Sequence, residues 1–220
     1  MVEQRALPPL DGQPFGEYHQ PPLYYALITP LAGLLPDGDF EAIDGRRNLH
    51  YSANFELVGN DNKNLYLHSE AEAFPYSGSQ TALAVHALRL LSVLMGLGTV
   101  LAARQGFALL WPEQPLPRLL ALSFVGLWPQ FVYLSSVITN DGLLILLSTL
   151  AVWLAISQVR SGPTGRRALL LGGVLGLAML TKFSASVVVI TLLAGLALDR
   201  RQWRTLPLVI VPVAAVAGGW

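Results

Sequence analysis

Hydrophobic and polar positions in this chain do not alternate; they are gathered into blocks. Residues 1–21 are rich in turn formers and show no sustained period, so they predict loop. Pro21-Pro22 opens a short apolar stretch from Leu23 to Leu35. At about 1.5 Å per residue that stretch reaches ~20 Å, short of a ~30 Å hydrocarbon core, and Pro30 interrupts it. A helix lying at the membrane interface, about 22–35, fits it better than a span. Residues 36–78 are polar, with scattered acids and several asparagines. Phe40, Tyr51, Phe55, Tyr66, Phe74 and Tyr76 nonetheless give them something to pack, which predicts an ordered loop rather than a linker.

From residue 79 the pattern changes to long apolar runs. Spans are expected at about 83–103, 116–137 and 142–159. The run 168–198 is too long for one span and carries Lys182 in its middle, so it predicts a hairpin of two shorter helices meeting near Thr181-Lys182-Phe183. A further span begins at 205 and runs to 220. The fold class this implies is an all-α polytopic membrane protein. Residues 1–78 form a large extracytoplasmic loop, and 79–220 form the transmembrane helix bundle.

Composition agrees. The chain is 53% hydrophobic and 13% charged, against about 25% charged for a soluble domain, too little to clothe a surface in water. Charge is also unevenly placed: the net is −7 over residues 1–78 and +7 over 79–220. Arg104 and Arg118, then Arg160, Arg166 and Arg167, then Arg200, Arg201 and Arg204 fall in three loops that the positive-inside rule assigns to the cytoplasm. Residues 1–78, the Thr139-Asn140-Asp141 turn and the Lys182 turn then share the opposite side. There is no cysteine, no zinc spacing, no glycine-rich phosphate loop and no basic patch suited to nucleic acid.

Charge at membrane depth costs ~2.5–3.5 kcal/mol even on lenient scales, which singles out Arg89, Asp141 and Lys182. All three fall near extracytoplasmic helix ends. Two cations suit phosphate oxygens, and a carboxylate suits an acceptor proton or a divalent ion. Plainer roles compete: Asp141 as a helix N-cap or as the partner of Arg89, Lys182 snorkelling at a hairpin tip, and His86 as a packed histidine. The run from Glu17 to Tyr25 is the densest polar-aromatic segment; an interfacial anchor is its simplest role.

EYHQPPLYYAL, HALRLLSVLMG, PQFVYLSSVITNDGLLILLSTLAVWL and GGVLGLAMLTKFSA occur in the order seen in GT-C fold membrane glycosyltransferases. Over about Glu17 to Ala185 the chain resembles the dolichyl-phosphate-mannose protein mannosyltransferase relatives, including bacterial ones. The resemblance implies transfer of a sugar from a polyprenyl-phosphate donor, outside the cytoplasm, among membrane lipids. It makes Asp141 the candidate catalytic carboxylate, and Lys182, Arg89, His19, Glu17 and Tyr24 the candidate substrate-binding residues, with an optional divalent cation and no dedicated metal set. One departure stands out: the family's acidic motif after its first transmembrane helix has no counterpart before His19. The expectation is a fragment, truncated at both ends, of a longer enzyme whose principal acid lies elsewhere. A transporter or flippase subunit for a lipid-linked substrate, or a scaffold subunit whose charges only cap and pair, are the alternatives.

Overall fold

A computed structural model describes residues 20–51 and 65–219. Among these the fold is helical: α1 (Leu23–Ala32), α2 (Phe40–Asp44), α3 (Gln80–Leu110), α4 (Pro115–Leu127), α5 (Pro129–Leu134), α6 (Asn140–Arg160), α7 (Gly165–Met179), α8 (Ala185–Leu198) and α9 (Leu206–Ala217). Short 3-10 turns lie at Glu70–Glu72 and Arg200–Gln202. No strand forms among the described residues; Arg47 and Tyr66 make one isolated antiparallel bridge. The chain divides into two compact units, Leu31–Leu88 and the remainder.

The helix boundaries follow local chemistry. Where the sequence suggests one span over 116–137, the backbone breaks at Trp128, which is extended because Pro129 disfavours a helical conformation before it. Pro129 then starts α5, where its missing N–H costs nothing. The 168–198 stretch is two helices, α7 and α8, joined through Leu180–Ser184. Two helices, α3 and α6, are long and apolar enough to cross a membrane. At ~31 Å, α6 matches a hydrocarbon core, whereas α3 reaches ~46 Å and extends beyond one.

In the larger unit small residues share the core with leucines, and many large apolar side chains face outward. Ala151, Ala155, Ala168, Ala178 and Ala185 are buried, while Leu94, Leu97, Phe124, Val187, Ile190 and Val211 are exposed. Small residues inside and large apolar ones outside suit helices packing in hydrocarbon, where close approach of backbones supplies the attraction. The closest approach is that of α7 to α9. A Cβ on Gly172 would collide with the backbone of Val209, and one on Gly176 would sit 2.7 Å from the Val216 Cβ. This Gly-xxx-Gly face lets α9 lie directly on α7, closing a core of Ala151, Leu171, Leu175, Leu196 and Val209.

Polar ties fix one end of this core. The buried Gln158 accepts from the Thr164 N–H at 3.2 Å and donates to the Thr164 carbonyl at 3.2 Å and the Thr205 hydroxyl at 3.4 Å. Gln202, also buried, donates to the Gln158 carbonyl at 3.2 Å. The C-terminal end of α6, the loop after it and the approach to α9 are thereby joined, with the Gln202 Oε1 alone in this knot left without a partner among the described residues.

The smaller unit depends on two carboxylates. Asp39 accepts from the Ser79 hydroxyl and from the Thr81 N–H at 2.7 Å, supplying the first turn of α3 with its missing acceptors. These hydrogen bonds hold its pKa down at about 2. Glu72 gathers Arg46 at 2.6 Å, His68 Nδ1 at 2.7 Å and both the hydroxyl and the N–H of Ser69 at 3.1 Å. His68 and the Ser69 N–H are the main reasons its pKa also falls to about 2. His86 contacts the Ala82 carbonyl through Nδ1 at 2.8 Å and stacks on Tyr76 with ring centroids 3.9 Å apart.

Two outcomes follow. Gly172→Val or Gly176→Leu should destabilise the detergent-solubilised protein by about 1–3 kcal/mol through overpacking. Gly173→Ala, where an added Cβ meets nothing within 4 Å, should hold or slightly raise its thermal midpoint, since alanine is the better helix former; equal losses at all three glycines would refute the α7–α9 contact. For Glu72, a lowered native pKa means stabilisation that is complete above the ordinary value of 4.5 and lost as pH falls toward 2. Protection factors of the amides around residues 65–79, taken relative to intrinsic exchange at each pH, should therefore fall through that window, and Glu72→Gln should flatten the dependence.

Candidate functional site

Three segments of the larger unit converge at the N-terminal end of α6. The first is that helix end itself. Thr139 is extended and caps α6, its hydroxyl accepting from the Asp141 N–H at 3.3 Å. The second is the turn between α7 and α8, where the Thr181 and Lys182 N–H groups both bond back to the Ala178 carbonyl. The third is the start of α1, joined to that turn by a hydrogen bond of 2.9 Å from the Leu23 N–H to the Leu180 carbonyl. An apolar cluster of Tyr24, Met95, Leu143, Leu147, Ala178 and Ala185 fills the space behind them.

Lys182 Nζ donates to Asp141 Oδ1 at 2.8 Å across 41 residues of sequence. The two helix dipoles favour this pairing, since the carboxylate stands in the first turn of α6 and the ammonium follows the C-terminus of α7. Both side chains are partly accessible, at 31% and 21% of full exposure, so the pair opens toward the surface. The remaining oxygen of Asp141 is 3.3 Å from the Thr139 hydroxyl, which also donates to it. The partner of Asp141 is thus Lys182 and not Arg89. Arg89 stands on the third turn of α3 with an exposed side chain.

Two further groups belong here. Asn140 is 2% exposed, and neither its amide nitrogen nor its amide oxygen has a hydrogen-bond partner among the described residues. The Tyr24 hydroxyl, in a side chain 4% exposed, is in the same state. Burial pushes that hydroxyl up to about 12, so at neutral pH it stays protonated and able both to donate and to accept. Orphaned polar atoms in a low-dielectric interior are costly and ask for a partner from outside the protein chain. Tyr24 is one of the sequence-predicted residues; Asn140 is not, although its place between a helix cap and an acid was the available signal. Glu17 and His19 lie outside the described residues. No group of three metal-ligating side chains occurs among the described residues, and Asp141 alone, already paired, would need further ligands to hold a divalent ion.

Residues 84–218, more than half of the chain, match the family of dolichyl-phosphate-mannose-protein mannosyltransferases. The chain belongs to that family. It is an integral membrane family of glycosyltransferases, which agrees with the long apolar helices α3 and α6 and with the exposed apolar side chains of the larger unit. Family membership also implies a lipid-linked sugar donor and a surrounding of membrane lipids. The matched region includes Arg89, Asn140, Asp141 and Lys182, whereas Tyr24 precedes it. No curated protein and no solved structure matches the chain.

The ion pair makes a specific demand on stability. Lys182→Met leaves a carboxylate facing a poorly solvating environment and should cost about 1–3 kcal/mol, between the values typical of exposed and buried pairs. Adding Asp141→Asn to Lys182→Met should recover most of that loss. A double-mutant cycle on thermal unfolding in detergent measures the coupling, and additive effects would show that the two groups do not interact.

Proposed function

We propose that this chain is part of a multi-pass membrane glycosyltransferase that transfers a sugar from a polyprenyl-phosphate donor to an acceptor hydroxyl on the extracytoplasmic face of a bacterial plasma membrane. Supporting this reading above all is the Asp141–Lys182 pair, a cation and a carboxylate brought together at one end of α6 within reach of the surface. The positive-inside pattern of the arginine loops puts that end outside the cytoplasm. On this reading α3, α4–α5, α6 and α7 to α9 build the bundle, and α1 lies at the interface on the donor side.

The chemistry asks three things of such a site. The acceptor hydroxyl loses its proton to a base as its oxygen bonds to the anomeric carbon. The bond from that carbon to the phosphate oxygen breaks, and its electron pair leaves with the polyprenyl phosphate. Charge therefore builds on the phosphate, where Lys182 as a point charge and Arg89 as a fork would stabilise it. Asp141 would hold the acceptor or an optional divalent ion, and His19 and Glu17 would shape the outer pocket. Asn140 and Tyr24 add what a sugar ring requires. Hydroxyls both donate and accept, as an amide and a phenol do, whereas a phosphate only accepts.

Because Lys182 is already bonded to Asp141, an arriving phosphate competes with the carboxylate for the ammonium. Engaging the donor would release Asp141 toward the acceptor, so a loaded phosphate and a free carboxylate would appear together.

Binding of a short-chain polyprenyl phosphate to the purified chain tests the assignment. Lys182→Ala should weaken it at least tenfold, the loss expected for one charge-assisted contact, with Lys182→Arg intermediate. Unchanged affinity in a folded Lys182→Ala protein would remove Lys182 from the site.

A further inference from the structure

The end of α3 remote from Arg89 holds a second cationic feature that the transfer reaction does not use. Between the last turns of α3 and the first turns of α4 lies a groove of about 300 Å³. Arg104 and Arg118 stand on its walls, with Phe107, Leu119 and Leu122 forming its apolar part. Neither arginine has an acidic partner among the described residues, and Glu113, the acid of the intervening loop, pairs with neither. Arg118 is half-buried, and its Nε donates to the Gln114 carbonyl at 3.3 Å, which fixes the guanidinium and leaves both Nη groups available. Arg160 extends the positive field by donating to the Leu110 carbonyl at the C-terminus of α3.

Depth decides what could occupy the groove. Arg89 and Arg104 are fifteen residues apart on one continuous helix, or ~22 Å, so both guanidiniums reach opposite headgroup layers by snorkelling. Phe107 and Trp111, with ring centroids 5.9 Å apart, lie where interfacial aromatics belong. A ligand there must carry a negative charge at headgroup height and an apolar body directed toward the exposed leucines of α3 and α4. We infer that the Arg104–Arg118 groove binds the phosphate headgroup of an anionic membrane phospholipid, with the acyl chains lying along α3 and α4. The inference rests on the membrane reading of the chain and is independent of the donor site at Lys182.

The test uses the full chain in nanodiscs of phosphatidylcholine containing a minor fraction of phosphatidylglycerol, with retained lipid measured by native mass spectrometry after release into detergent. Wild-type protein should keep phosphatidylglycerol in preference to phosphatidylcholine. Arg104→Gln/Arg118→Gln should lower that preference roughly tenfold, while Arg201→Gln, remote in the chain, should not. If the glutamine pair fails to fold, Arg104→Lys/Arg118→Lys serves instead: retained charge without the bidentate fork should give a weaker preference than wild type. An unchanged preference in either folded variant overturns the proposal. So does equal retention of the two lipids by the wild type, or displacement of phosphatidylglycerol by glycerol phosphate at comparable concentration, which would make the groove a simple anion site. Polyprenyl-phosphate binding should be unaffected by the Arg104 and Arg118 changes, which separates failure of this site from failure of the donor site.

Discussion

A polar group at membrane depth must find its partner within the protein, and that constraint organises the larger unit from both ends of α6. Toward its N-terminus the partner is ionic, Asp141 with Lys182. Toward its C-terminus it is neutral, the amides of Gln158 and Gln202 shared with Thr164 and Thr205. Each tie joins α6 to elements far along the chain, so satisfying hydrogen bonds also sets the order in which helices neighbour one another. Apolar packing alone could not choose that order. A leucine-faced helix in hydrocarbon gains little from one leucine-faced neighbour over another.

The two ties differ in kind because their tasks differ. The amide knot is buried and has nearly all of its groups engaged, which suits a joint that stays closed. The ion pair is partly accessible, and in the same unit the Asn140 side chain and the Tyr24 hydroxyl have no partner among the described residues. On the proposed function, the unpartnered atoms of Asn140 and Tyr24 would meet the hydroxyl oxygens of a sugar.

How much of this was legible in the sequence depended on what each feature required. Apolar blocks gave the helices, because length and hydropathy are local properties, and the interruption at Lys182 marked the α7–α8 turn. Cost at membrane depth singled out Asp141 and Lys182 separately, yet it did not say that they bind each other; Arg89 was an equal candidate partner until the turn after α7 was placed beside the start of α6. Periodicity was silent about which face of α6 packs, since that helix is apolar on every side. Gly172 and Gly176 passed unnoticed because their meaning lies in what approaches them, the backbone of α9, and not in any property of their own. Trp128 shows the opposite case: Pro129 was in plain view, but a proline inside an apolar run is compatible with a kinked span as well as with two helices.

The contact through Gly172 has a mechanical meaning as well as an energetic one. Side chains that meet through rotamers can yield by hopping between them, but here backbone rests on backbone, and neither surface has a torsion to give. The separation of α7 and α9 is therefore set at Gly172 by van der Waals contact of backbone atoms more than by the fit of side chains. Lys182 follows the end of α7 by three residues and inherits that separation as its reference. Its ammonium can swing on a flexible stem, but the base of the stem follows a helix held by direct backbone contact with α9.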